Sequence, residues 1–486
     1  MAATILIVLS QGLLSPADRG TLSVNDNDNP SPNIIVMLFD SLREDYIGFN
    51  AEGSTLTPTM DSLVTSNSYY SDYYATSSWT FPSISAMMTS RLQNKLGLDH
   101  VGDLPEDVPL LAEILSDNGY STAGISSNDF FDPRHGFDRG FDSFYTISPA
   151  AQSYLLLPFK SFFPHMQLFS ELAYQFDFVS GSDYRRDWRD INTAADSCLN
   201  SAGDKPLFMH MHYMNTHWPF WSMPMEGLGL DGERLFLALY NSYKTIEEQD
   251  SAESHKRLRT RFAESEEMLY RNGVRTADQA VQDVIEKLRH HGMDSNTVLI
   301  ITSDHGDEFL EHDEMFHGNN LFNSTVQIPL LIVIPDQLKH TMPDLSGPLT
   351  ALDFAPTILD FAGVNLEDYE LEGRSLLRVP VSGNRAVYMF LGAQQSGLIW
   401  SGIIQDSYKH IQALRIMDGQ VQNYLFDLNE DGHETNNLYD ANQEIADSLA
   451  ALLKIQADQT IRKFDPGKEE LDGKVLERLR ALGYVH

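Results

Sequence analysis

The sequence predicts an α/β fold with a large, mostly parallel central sheet flanked by helices, followed by a small C-terminal antiparallel α+β unit. Three observations lead there. Short, uncharged, β-branched runs recur along the chain and end on polar residues, as strands buried on both faces do. Segments with helical apolar spacing lie between them, which is the alternation of a parallel sheet with helical crossovers. After about residue 380 the texture changes to short strands closely spaced between turns.

Residues 1–32 read as a tail and linker. The apolar stretch Ile5 to Leu9 lacks the basic flank of a secretion signal, and residues 15–32 are rich in Asp, Asn, Ser and Pro. Asn33 to Phe39 is the first strand, ending at Asp40. A helical pattern from Asp107 to Asn118 leads through Gly119 to a strand at Ser121 to Ile125. Residues 150–182, rich in Phe, Tyr, Leu and Pro, read either as a lid over a site or as buried packing, and apolar clusters are mostly core. Pro206 to Met214 is a further buried strand. Glu233 to Glu267 is a polar helical stretch, and Thr276 to His290 sets Ala277, Val281, Val284, Ile285 and Leu288 on one helical face. Strands follow at Val298 to Thr302 and Pro329 to Ile334, then a helix from Leu352 to Gly363. Beyond 380, strands are expected at Ala386 to Leu391, Ser401 to Ile404, Lys409 to Leu414 and Asn423 to Phe426, and a helix from Gln443 to Phe464. The expected organisation is therefore a tail over 1–32, a catalytic unit over 33–380 and a small unit over 381–486.

Composition narrows the function. With 34 basic and 69 acidic residues the formal net charge is −35, which argues against binding a nucleic-acid backbone. Acidity spread along the whole chain fits a very salty cytoplasm, where a Debye length of about 3 Å near 1 M salt screens self-repulsion. A secreted or membrane-peripheral location is the alternative. The melting temperature should accordingly rise from low to molar KCl, and a flat response would contradict this reading. No apolar run approaches the roughly 18 residues of a membrane span. The single cysteine, Cys198, can form neither an internal disulfide nor a cysteine-rich metal site.

The chemistry-bearing residues stand at or just past the C-terminal ends of predicted strands, where open parallel sheets bind ligands. Asp40 ends the first strand, and Asp304-His305 ends the Val298 strand. A carboxylate from one strand and an Asp-His pair from another form a divalent-cation set, carboxylates suiting Mg and Mn and imidazole extending the range to Zn. Each Asp taken alone also reads as a helix cap. Ser77-Ser-Trp-Thr80-Phe-Pro82-Ser83-Ile-Ser85 is a hydroxyl-dense turn opening a helix, either an N-cap cluster or a place where the helix dipole stabilises an anion or alkoxide. His210, His212 and His217 read as packed strand-end histidines or as a zinc cluster.

These segments, in order, resemble the sulfatase family of the alkaline phosphatase superfamily and, with the acidic composition, its haloarchaeal sulfatase-like members. The resemblance runs from Asn33 to about Asp440 through NIIVMLFDSLREDYIG, SSWTFPSISAMMTSR, FMHMHYMNTHWPF, TSDHGDEFLEH and FHGNNLFNSTVQIPLLI. It implies an α/β sandwich with a small C-terminal antiparallel sheet and helix. It also implies Asp40, Asp304 and His305 as metal ligands, and Arg43 as a brace for the first of them. His217 and His317 would hold substrate oxygens or serve the leaving group. The chain departs from the pattern at the nucleophile. Sulfatases place a Cys or Ser, oxidised to formylglycine, two residues before a Pro. Here that position is Thr80, the following Arg position is Ile84, and the second Asp of the usual pair is Ser41. Threonine would oxidise to a ketone, whose hydrate is a poorer nucleophile. Thr80 therefore looks more like the phosphotransferase and phosphodiesterase branch, in which a metal-bound threonine alkoxide attacks phosphorus.

The expected activity is metal-dependent cleavage or transfer of a phosphate mono- or diester through a covalent Thr80 intermediate, with one divalent ion (Mn or Mg, or else Ca or Zn) on Asp40, Thr80, Asp304 and His305. The alternatives are sulfate-ester hydrolysis, phospho-alcohol transfer to a glycan or lipid, and a non-catalytic binding protein on the same scaffold.

Overall fold

The computed structural model describes residues 31–48, 56–65, 67–98, 101–147, 188–218, 252–338, 345, 347–378, 385–393 and 397–460. The expectations for residues 1–30, 150–182, 233–251 and 461–464 lie outside this set. Strands, in chain order, are β1 (Asn33–Phe39), β2 (Ser68–Tyr70), β3 (Tyr73–Tyr74), β4 (Ser121–Ser126), β5 (Ser143–Thr146), β6 (Leu207–Tyr213), β7 (Thr297–Thr302), β8 (Leu330–Val333), β9 (Leu349–Thr350), β10 (Ala386–Leu391), β11 (Leu398–Gln405), β12 (Tyr408–Arg415) and β13 (Val421–Asp427). The principal helices are α1 (Pro58–Val64), α2 (Thr80–Thr89), α3 (Leu111–Asp117), α4 (Trp188–Ser201), α5 (Ala252–His290), α6 (Phe354–Phe361) and α7 (Gln443–Thr460).

The large sheet has the order β2-β8-β7-β1-β6-β4-β5. β1 lies at its centre, parallel to both β6 and β7, and only the β8 pairings with β7 and β2 are antiparallel. The apolar run of β1 serves both faces, because successive side chains in a strand point opposite ways. Ile34, Val36 and Leu38 pack with Phe81, Ile84 and Met87 of α2 and Ile358 of α6. Ile35, Met37 and Phe39 pack with Ile191 and Ala195 of α4 and Val274, Ala277 and Val281 of α5. The six alternating β1 side chains from Ile34 to Phe39 are wholly buried, and each such burial stabilises by about 1.5–3 kcal/mol. The long polar pattern ahead of Thr276 continues as the same helix, α5, which begins at Ala252.

The small sheet is antiparallel with the order β10-β11-β12-β13. Ile403 and Leu425 on one face meet Ala446, Leu449 and Leu453 of α7. Val387, Met389, Ile404, Ile411 and Phe426 join the same core as β1 and α2. Segment 385–460 thus shares a core with the large sheet.

Register fixes where the site can form. Phe39 pairs with Tyr213 and Leu38 with Thr302, so the chain leaves β1, β6 and β7 at one level. Ser126 at the end of β4 is opposite His212. Four strands therefore deliver Asp40, Asn128, His212 and Asp304 to one carboxyl edge.

Candidate active site

Asp40 is fully buried. Its Oδ2 accepts from Asn128 Nδ2 at 2.5 Å and from His212 Nε2 at 3.1 Å. Thr80 Oγ1 stands 3.4 Å from the same oxygen. The next residue, Ser41, has a left-handed φ of 63°, costly for a non-glycine. That turn points the Ser41 N–H at Asp304 Oδ1, 3.2 Å away. Tyr270 secures it by donating to the Ser41 carbonyl and accepting from the Arg43 N–H, each at 2.8 Å.

Asp304 is equally buried, and its Oδ2 has no hydrogen-bond partner. His305 Nδ1 lies 2.8 Å from the Gly306 carbonyl. A carbonyl only accepts, so the proton sits on Nδ1 and Nε2 is bare. That Nε2 is 3.0 Å from Thr80 Oγ1, 3.6 Å from Asp40 Oδ1 and 3.5 Å from Asp304 Oδ2. Burial, with a lesser contribution from the charge of His317, holds His305 well below the usual histidine range, which keeps it neutral. Gly306 is needed for close approach, since a Cβ there would meet the Ser324 carbonyl oxygen at 2.1 Å.

Thr80 opens α2, and the hydroxyls around it do not cap the helix. Ser78 donates to the Asn320 carbonyl at 2.6 Å and Ser83 to the Asp304 carbonyl at 2.7 Å. The hydroxyl-dense turn thus fastens α2 to the strand ends and leaves Thr80 facing His305.

The donor set suits a divalent cation. Thr80 Oγ1, His305 Nε2 and the Asp40 and Asp304 oxygens are 3.0–3.6 Å apart where paired, the spacing of neighbouring ligands at bonds of about 2.0–2.6 Å. Two buried carboxylates share this space, and burial and then the Asp40 charge push the Asp304 carboxyl well up. An uncompensated buried charge costs several kcal/mol. Asp40, His212 and Asp304 also place ligand atoms within 4.8 Å of one another. His305 is the better equipped nitrogen, because metal-bound histidines characteristically donate their other N–H to a carbonyl or carboxylate. The second nitrogen of His212 is buried without a partner.

His217 and His317 close the site from the side. Their rings are 4.9 Å apart, and that of His317 is 4.4 Å from His305. His217 Nδ1 contacts the Trp218 carbonyl, leaving Nε2 bare and 3.9 Å from Asp40 Oδ1. Burial lowers the His217 pKa, with the Asp40 charge opposing. For His317 burial works downward, but the Asp307 carboxylate, 3.3 Å from Nδ1, prevails and raises it.

One sequence expectation requires correction, and one open alternative closes. Arg43 does not brace Asp40: its guanidinium bonds Asp45 at 2.7 and 2.9 Å, Glu311 at 2.5 Å and the Asp307 carbonyl at 3.0 Å. Matched by two carboxylates, it is an anchor for the Asp307 loop. The three-histidine zinc cluster does not assemble among the described residues, because His210 packs on Phe131 with both nitrogens unpartnered. Asn128 and His212 were missed as Asp40 partners. The alternation of His210 and His212 marks one face of β6, whereas Asn128 lies in a segment, SSNDFF, that shares in the family resemblance but carries no periodicity that would assign it a role.

Glu266 of α5, 2% exposed, carries a testable consequence. Burial, and then the Asp307 charge, push its carboxyl up to about 8 against a hydrogen bond from Trp218. A raised folded-state pKa means the folded protein holds the proton more tightly. The stabilisation is complete below about 4.5 and is lost as pH rises through about 8, at about 1.4 kcal/mol per pKa unit. Glu266→Gln should flatten that decline in urea unfolding followed from mildly acidic pH to above pH 8. An unchanged slope would show that Glu266 is not its source.

A sequence profile described as Sulfatase matches residues 32–364, and one described as N-sulphoglucosamine sulphohydrolase, C-terminal, matches residues 311–462. Arylsulfatase A of Bos taurus is 24% identical over 504 aligned residues, covering 90% of this chain and 90% of that protein. The ulvan-active sulfatase of Formosa agariphila is 22% identical over 387, covering 76% of this chain and 69% of that one. A solved structure in complex with its substrate D-glucosamine-2-N,6-O-disulfate has a TM-score of 0.63 at 19% identity, covering 90% of this chain and all (100%) of that one. The phosphonate monoester hydrolase of Agrobacterium radiobacter has a TM-score of 0.64 at 15% identity, covering 88% and 96%.

Proposed function

The chain belongs to the sulfatase family, and from that premise we propose that it hydrolyses sulfate esters carried on an anionic glycan. It is a hydrolase acting on ester bonds. The observation that carries the reading is the convergence of Thr80, His305, Asp40 and Asp304 on one buried point beside two further histidines. The glycan-sulfate relatives favour sulfate over the phosphate ester that Thr80 alone suggests.

Asp40, Asp304, His305 and the Thr80 oxygen would hold the divalent cation. When bound, it supplies positive charge for the ester's oxygens and acidifies the Thr80 hydroxyl. The chain's own groups do the rest. Thr80 Oγ attacks sulfur, and its proton passes by way of Asp40, 3.4 Å away, to the bare Nε2 of neutral His217, which stands 3.9 Å from Asp40 Oδ1. The bond between sulfur and the sugar oxygen breaks as His317, kept protonated by Asp307, gives its proton to that oxygen. Water then attacks sulfur and gives a proton to the now neutral His317, the bond from Thr80 Oγ to sulfur breaks as the proton held by His217 returns to Thr80 Oγ, and hydrogen sulfate and the free Thr80 hydroxyl result. General acid help is worth about 10²–10⁴-fold.

Thr80 itself favours a second reading, cleavage of phosphate or phosphonate esters through the same covalent step. An unmodified threonine lacks the second hydroxyl with which a formylglycine hydrate expels sulfate, whereas water cleaves a threonine phosphate at phosphorus.

The test is release of sulfate from a sulfated glycan by chelator-stripped protein before and after Mn, Mg or Ca is restored. Release that appears only on restoration is expected. Equal release by stripped protein would overturn the cation-dependent reading.

A further inference from the structure

Glu308 is wholly buried three residues past His305, and the mechanism above gives it no role. Its Oε1 accepts the His312 N–H at 3.0 Å and also contacts His312 Nδ1. Its Oε2 accepts from Asn320 Nδ2, and its backbone carbonyl accepts the Phe316 N–H at 2.9 Å. One residue therefore grips the loop 309–320 near its start, beside His317 and at its end.

That loop is strained. Leu310, Asp313 and Phe316 have φ of 78°, 63° and 66°. Left-handed non-glycine residues are costly and persist only where the surroundings over-determine them. The far end of the loop is tied to the nucleophile's helix, since Ser78 donates to the Asn320 carbonyl at 2.6 Å and accepts the Gly318 N–H at 2.8 Å. His312 holds the near end outward. Its ring stacks on Phe322 with centroids 3.9 Å apart, and its Nε2 meets the His433 carbonyl at 3.2 Å. With one ring nitrogen facing a carboxylate and the other a carbonyl, both must donate, so His312 is an imidazolium paired with Glu308.

We infer that Glu308 is a positioning residue for His317: its carboxylate clamps the strained loop so that the His317 ring stays beside His305 and His217. The inference rests on the proposed role of His317 as proton donor to the leaving oxygen. Glu308→Gln keeps the volume but puts an amide N–H where an acceptor is needed, against either His312 or Asn320. Displacing a reacting group by about 1 Å costs on the order of 10²-fold.

The experiment compares kcat and KM for two esters of one acid, one with an activated nitrophenol leaving group and one with a simple alcohol. A poor leaving group needs the proton, and an activated one does not. Glu308→Gln should lower kcat for the alcohol ester by about 10²-fold and change the nitrophenyl ester far less, with KM nearly constant. His317→Ala should show the same pattern more strongly. His312→Ala, at a partly exposed ring that is simpler to lose, should show it more weakly, and it serves if Glu308→Gln fails to fold. Should His317→Ala show the pattern while folded Glu308 and His312 variants lower both esters equally, or neither, the positioning role is wrong. Should His317→Ala itself show no leaving-group dependence, the acid role fails, and the inference with it.

Discussion

Thr80→Ala lowers kcat by roughly 10⁴–10⁶-fold, the cost of deleting a nucleophile that acts with its neighbours as a unit, while the protein stays folded. The fold is spared because Thr80 makes no cap hydrogen bond in α2. Among the described residues its hydroxyl meets His305 and Asp40, both wholly buried and held by other partners. Thr80→Ser restores the oxygen without the methyl and keeps part of the activity. Initial rates for the three proteins, beside circular dichroism and melting curves, check this. Residual activity in Thr80→Ala within tenfold of wild type would remove the covalent step.

Asp304→Asn has the second largest effect, and its sign depends on the cation. The amide oxygen can still accept from Ser41 and His305 at the place of Oδ1. What is lost is the negative charge at the unpartnered Oδ2 beside Asp40. Without cation the variant should melt above wild type, because two buried carboxylates no longer repel. Replacing strained buried charge by neutral groups gains about 1–4 kcal/mol. With saturating cation the order should invert, since a ligand at 100 times its dissociation constant adds about 2.7 kcal/mol to a protein that binds it. Thermal melts of both proteins with chelator and with Mn decide it. Parallel shifts in the two proteins would mean that Asp304 holds no cation.

Much of the fold was legible because its strands announce themselves. NIIVMLF, LFMHMHY and TVLIIT are uncharged runs, as burial on both faces demands, and the first and last stop directly at the polar Asp40 and Ser303. The carboxyl-edge rule then brings Asp40 and Asp304-His305 together from the sequence alone. The order of the strands was not legible. That β4 lies beside β6 is a long-range fact, and only this neighbourhood carries Asn128 to Asp40. Arg43 was misassigned for a related reason. Its partners Asp45 and Glu311 belong to loops whose paths no periodicity reveals. Glu308 stood in plain view after Asp-His-Gly-Asp, but its role depends on the left-handed residues of the following loop.

The central claim is sulfate-ester hydrolysis at Thr80. Its most direct test is the rate of cation-loaded wild-type protein on one aryl sulfate and on the matching aryl phosphate, with Thr80→Ala run beside it. The account predicts that the sulfate is cleaved faster and that Thr80→Ala abolishes that cleavage. Faster cleavage of the phosphate would contradict the sulfate assignment and leave the phosphoryl reading in its place, and sulfate cleavage that survives Thr80→Ala would contradict the nucleophile.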